Sequence, residues 1–193
     1  EKAFERMPVW NFTSVDPVLF NEGNFSRWAN GEGHRALKKR LCEMIDDVTP
    51  TTTDRALKVT RTFLERWKER QSFSWFPEFN PLVADLFCEI FLGRTLPDAH
   101  EYFANVLFAV DPYRKNSLIN LEFKREDTIQ EGLDARAALA DFIERDGDKP
   151  SFPELPDRAT YANLLIYMGC FAALPALKNV LVNLFAKISS EAD

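Results

Sequence analysis

His34 and Lys38 stand four residues apart with Arg35 beside the histidine, a spacing that puts the imidazole and the ammonium on one helix face. Near a helix N-terminus, where the backbone adds positive potential, such donors suit a buried carboxylate. The run that continues through Lys39 and Arg40 reads equally as a solvated basic face. Little else in the chain is arranged for chemistry. His34 and His100 are the only histidines, and neither has a partner at zinc-site spacing. There is no G-x-S-x-G elbow and no glycine-rich phosphate loop, because the seven glycines are scattered singly. The carboxylate pairs Asp46/Asp47, Asp98/Glu101 and Glu126/Asp127 read as solvated helix ends. Cys42, Cys88 and Cys170 are odd in number and far apart, and read as buried apolar thiols in a reducing compartment.

The elements that would position these residues are helical. Of 193 residues, 46% are hydrophobic and 28% charged, which excludes a disordered chain. A net charge of −6 disfavours nucleic acid as a partner. Seventeen phenylalanines suggest thick aromatic packing between helices or a pocket for something apolar. Residues 1–30 read as an irregular aromatic segment broken by Pro8, Pro17 and Gly23, and 31–193 as one helical domain or part of a larger one. The sequons at Asn11 and Asn24 read as chance matches, since no leader of the charged-then-apolar kind is visible and an intracellular protein is favoured.

Apolar residues recur at three- and four-residue steps from about Gly33, and Thr49-Pro50 is expected to end that first helix. A second is expected from Thr53 or Asp54, through Leu57, Phe63 and Trp67. A third is predicted over Asn80–Leu92, with Pro81 as its first residue and Gly93 as its stop. Further helices are predicted over Pro97–Val110 and from about Asp127 to Arg145, followed by a proline-rich connector over 146–157. A long final helix should run from Arg158 to about Ser189. Its charge-free stretch Leu164–Leu177 is fourteen residues, short of the 18–20 or so of a membrane span, so it reads as a buried central helix. The expected class is all-α, a multi-helix orthogonal array with a long central C-terminal helix.

Several stretches resemble the cytochrome P-450 superfamily, and most of all its allene oxide synthase and hydroperoxide lyase branch. Glu32-Gly-His34 with Leu37 and Lys38 resembles that branch's E-P-x-H-x-x-L-K at the start of a haem-facing helix, with Gly33 in place of proline. Pro17-Val-Leu-Phe20-Asn resembles its P-V-L-F-D, although the spacer between the two is shorter here. Glu78 through Gly93 resembles the family's buried fifth helix. Asn163-Leu-Leu, followed by Cys170-Phe171, resembles the A-x-H-N-L-L-F and C-F-N of the helix that crosses the haem. The resemblance covers about residues 15–190, the N-terminal and middle half of such a protein.

The resemblance implies a haem (heme) cofactor with His34, Arg35 and Lys38 toward its propionates. It places Gly169, Phe171, Ala172 and Ala173 against a small apolar or lipid substrate. It implies a fatty-acid hydroperoxide isomerase or lyase before a monooxygenase, in which iron cleaves the O–O bond homolytically. The stretch Gly169–Pro175 has neither the acid nor the threonine with which monooxygenases of the family protonate bound oxygen. The branch's asparagine after C-F is Ala172 here, which removes the amide that would orient a hydroperoxide. Pro175 should kink the helix. None of the three cysteines stands in the family's F-x-x-G-x-x-x-C loop, so the thiolate ligand is absent. The two E-x-x-R matches, at Glu32 and Glu122, precede no such loop and read as chance. The expectation is a part of a longer haem-thiolate protein, or a reduced relative, that is not catalytically complete alone. The alternative is a haem-free helical module binding an apolar ligand or a protein partner. Membrane association and oligomeric state are not written in the sequence.

Overall fold

The computed structural model describes residues 31–70, 74–110, 125–145 and 158–191. The expected irregular segment over 1–30 and the connector over 146–157 lie outside the described residues. The all-α class is what the structure shows, with no strand among the described residues. In chain order the elements are α1 (Gly31–Lys68), α2 (Trp75–Leu92), α3 (Ala99–Val110), α4 (Arg125–Glu144), α5 (Arg158–Met168), a π-helical turn (Gly169–Ala173) and α6 (Leu174–Glu191).

The expected break at Thr49-Pro50 does not occur. α1 runs 38 residues straight through Pro50. Proline removes one helical N–H and crowds the carbonyl four residues before it, here that of Asp46. Both residues are exposed, where water can satisfy what the helix loses. The neighbouring hydroxyls bond to other carbonyls, Thr49 Oγ1 to that of Ile45 at 2.7 Å and Thr51 and Thr52 Oγ1 to that of Val48 at 3.2 and 2.9 Å, so the freed Asp46 carbonyl is left to solvent. The two predicted helices are therefore one rod whose halves pack in different places.

α2 starts at Trp75, five residues before the expected Asn80, so Pro81 lies inside the helix and not at its first position. Aromatic packing explains the extension. The Trp75 ring lies 4.3 Å from that of Phe185, and Phe79 is 1% exposed. Glu78 ties the same end to α1, accepting from the Trp67 indole N–H at 2.9 Å and pairing with Arg70 at 2.5 Å. The other end stops where expected. Gly93 adopts the left-handed conformation at φ 69°, and its N–H donates to the Glu89 carbonyl. Arg55 of α1 adds a cationic cap, donating to the Glu89 and Ile90 carbonyls.

α2 divides the interior into two clusters. On one side Val59, Phe63 and Trp67 of α1 meet Phe79, Leu82 and Leu86, with Leu181, Val182 and Phe185 of α6 against them. On the other, Ala84, Phe87, Cys88 and Leu92 meet Met44, α3, α4, α5 and Cys170. Each fully buried side chain such as Phe87 or Leu165 adds about 1.5–3 kcal/mol over leaving it in water. α3 and α4 approach closely because position 132 is glycine, and a Cβ there would run into Ala109.

The expected central helix is central only in its first part. Residues 162–170 are all buried, whereas α6 is half-buried or exposed along its length. The predicted disturbance at Pro175 takes the form of the π turn directly before it, in which the Leu174 N–H donates to the Gly169 carbonyl five residues back. A widened turn is one way for a helix to reach a residue that has no N–H of its own. No helix of the described residues is long and apolar enough to cross a membrane.

Candidate functional site

Among the described residues the π turn is an uncommon piece of backbone, since such turns are rare and are found often at functional sites. It is held from one side by Phe103 of α3. A Cβ on Gly169 would lie 2.6 Å from Phe103 Cε1, so only glycine lets that ring rest on the turn. The ring is 3% exposed and packs edge-on against Phe87 with centroids 5.5 Å apart. The Cys170 thiol donates to the Phe103 carbonyl at 3.5 Å. Of the residues predicted for the substrate side, Gly169 and Ala173 thus lie in one turn, with Ala173 half-buried against the first cluster. Phe171 and Ala172 belong to the same turn, and their side chains lie outside the described residues.

His34, Arg35 and Lys38, the predicted propionate donors, lie near the start of α1. The side chains of His34 and Arg35 lie outside the described residues, and Lys38 is exposed.

A haem thiolate needs an ionised cysteine beside the iron. Burial pushes the Cys88 thiol up to about 12, with the negative charge of Asp85 adding to it and Arg94 opposing. Burial pushes Cys170 higher still, and only its own backbone hydrogen bond opposes this. Both are neutral core thiols. Cys42 is exposed on α1, contrary to the expectation that all three are buried. It falls beside the buried stripe of Met44 and Val48, not on it. Among the described residues no group of histidines, cysteines and carboxylates is placed to hold a metal.

Two half-buried arginines form polar contacts that the sequence reading did not single out. Arg94 donates from Nη2 to the carbonyls of Phe142 and Arg145 and lies over the Phe142 ring, with its Cζ 4.3 Å from the centroid. It closes the C-terminal end of α4. Arg136 of α4 donates from Nη2 to Oδ1 of Asn163, an amide 2% exposed in the middle of α5. Burial holds the Arg136 guanidinium below its ordinary value, and the Glu144 carboxylate opposes that shift. The signal for this pair was present. Arg136 stands four residues after Gly132 and three before Leu139, so a cation falls on the stripe that faces the core. Asp85, half-buried on α2, is pushed upward by burial and by Glu89 one turn on, against the opposing charges of Arg66 and His100.

No protein-family model, curated protein or solved structure matches this chain.

Proposed function

We propose that the chain forms the helical, ligand-facing part of a cytochrome P-450-like haem-thiolate protein that handles an apolar lipid, and that it does not complete the chemistry alone. The observation that carries this reading is the π turn at Gly169–Ala173. It interrupts the buried helix within the stretch that resembles the haem-crossing helix. The turn offers neither an acid nor a threonine, which favours a substrate that brings its own oxygen, a fatty-acid hydroperoxide, over oxygen activation. None of the three cysteines stands in the family's F-x-x-G-x-x-x-C loop, so the reading takes the iron ligand from elsewhere.

The test is a fluorescence titration of the chain with a conjugated-polyene long-chain fatty acid. Saturable binding is expected, and its absence would overturn the lipid reading. Haem added to the same protein should give no thiolate-type Soret band with carbon monoxide; such a band would show that one of its cysteines does ligate iron.

One observation favours the second reading, a haem-free helical module with a protein partner. Val180, Leu184 and Ile188 stand one turn apart on α6 and remain 63%, 49% and 53% exposed. Lipid binding that is abolished by Val180→Asp with Leu184→Asp would count against this division of roles, because the exposed stripe would then belong to the lipid site.

A further inference from the structure

α1 passes from one hydrophobic cluster to the other, and between them it is bare. Leu41 and Met44 pack into the cluster that holds Phe87, Phe103 and Cys170, while Val59, Phe63 and Trp67 pack into the second. From Thr49 to Lys58 no side chain is buried, and only Thr52, Arg55 and Ala56 are half-buried. Tertiary packing supplies most of the stability of a protein helix, so this stretch has little to hold it straight. The weakest backbone of α1 lies at the start of the same stretch. Pro50 has no N–H for the Asp46 carbonyl and crowds that oxygen, and proline is a common cause of a sharp kink. The hydroxyls of Thr49, Thr51 and Thr52 bond back to the carbonyls of Ile45 and Val48, a pattern that bends helices and slightly weakens them.

The two halves are also anchored differently. The C-terminal half is fastened to α2 by polar bonds as well as by packing. Arg55 donates to the Glu89 and Ile90 carbonyls, Lys58 pairs with Glu89 at 2.7 Å, and Trp67 and Arg70 both bond to Glu78. In the N-terminal half the buried members of the described side chains are Met44 and Val48, and Met44, 1% exposed, seats it in the first cluster.

We propose that α1 is jointed at Thr49–Pro50: Gly31–Val48 is an arm that lifts off the first cluster as one unit while Arg55–Lys68 stays docked on α2. Lifting the arm withdraws Met44 from the cluster to which Phe103 and Cys170 also belong, so the joint gives the apolar interior an opening on the α1 side. The joint depends on neither a lipid nor a haem.

The test is hydrogen–deuterium exchange of the full chain, read as protection factors along α1. Once lifted, an arm of this length is marginal as an isolated helix, so its amides exchange whenever it leaves the cluster. The amides of residues 38–48 should share one level of protection, about tenfold or more below that of residues 59–67, with the step falling at 49–54. Fraying from the helix start would instead give protection that climbs steadily from Gly31 with no step at the joint, and that profile would overturn the proposal. Equal protection on the two sides of Pro50 would overturn it as well. Pro50→Ala gives the Asp46 carbonyl a donor and ties the arm to the docked half, so it should shrink the step by about threefold or more. A step that Pro50→Ala leaves unchanged would refute the joint. Since the profile of the unaltered chain separates a joint from fraying, the proposal stands or falls without any variant.

Discussion

Gly169→Ala tests whether the π turn is held in place by Phe103. The new Cβ would sit 2.6 Å from Phe103 Cε1 and 3.2 Å from Cδ1 and Cζ. The ring has no easy retreat, being 3% exposed with Phe87 edge-on behind it. Overpacking of that kind costs about 1–3 kcal/mol. Alanine returns about 1 kcal/mol of helix propensity relative to glycine. The expected net effect is a loss of about 1 kcal/mol, the difference of those two terms. In a Phe103→Leu background the shorter side chain vacates the space above residue 169, and the same substitution should become neutral or stabilising. The double-mutant cycle in urea should therefore show a coupling of about 2 kcal/mol between the two sites. If Gly169→Ala stabilises the unaltered chain, or if the two changes add within about 0.5 kcal/mol, the ring does not rest on the turn as described.

Pro50→Ala should raise stability by on the order of 2 kcal/mol in urea, because the helix already continues through this exposed position and regains one amide; a loss would mean that proline is needed there. The Trp67 indole N–H, aided by Arg70 and Arg66 and opposed by partial burial, holds the Glu78 carboxyl below its ordinary 4.5. A depressed folded value gives stability that is present above the unfolded value and lost as pH falls through the folded one. The margin of the unaltered chain over Glu78→Gln, read from urea midpoints, should hold at neutral pH and shrink as pH drops below 4.5; a margin that stays flat down to pH values near 2 would refute the assignment. In native protein a thiol reagent should modify Cys42 alone, with Cys88 and Cys170 reacting only after unfolding. Three equally fast thiols would contradict the buried positions.

The helices that could be read from the sequence are those whose ends carry their own signal. Gly93 stops α2 because its left-handed φ and its N–H to Glu89 are local properties of one residue. The start of α2 was not local. It depends on Trp75 meeting Phe185, which is 110 residues away along the chain, and no pattern within 75–80 reveals that partner. Pro50 was misread for a related reason. The preference of residues before proline for extended backbone is a statistical bias, and here the exposed setting, where water reaches the freed carbonyl, offsets it. Cys42 shows the limit of residue type alone, because the burial tendency of cysteine gave way to its place beside the apolar stripe of α1.

The two parts of the candidate site were legible to different degrees. A run of small and apolar residues from Gly169 to Ala173, closed by Pro175, announces a disturbed helix, and the disturbance is where the sequence puts it. What the run does not announce is the ring that shapes it, since Phe103 is one of seventeen phenylalanines and becomes special only by lying on Gly169. The Arg136–Asn163 pair joins residues 27 apart on different helices. Each alone looks like a minor flaw in an apolar stripe, a cation on α4 and an amide on α5. Their meaning lies in coincidence, because two polar groups that each disfavour burial are tolerable only when they meet. They meet incompletely, with the Arg136 Nε still lacking an acceptor. Replacing that arginine with leucine would leave the buried Asn163 amide without its partner.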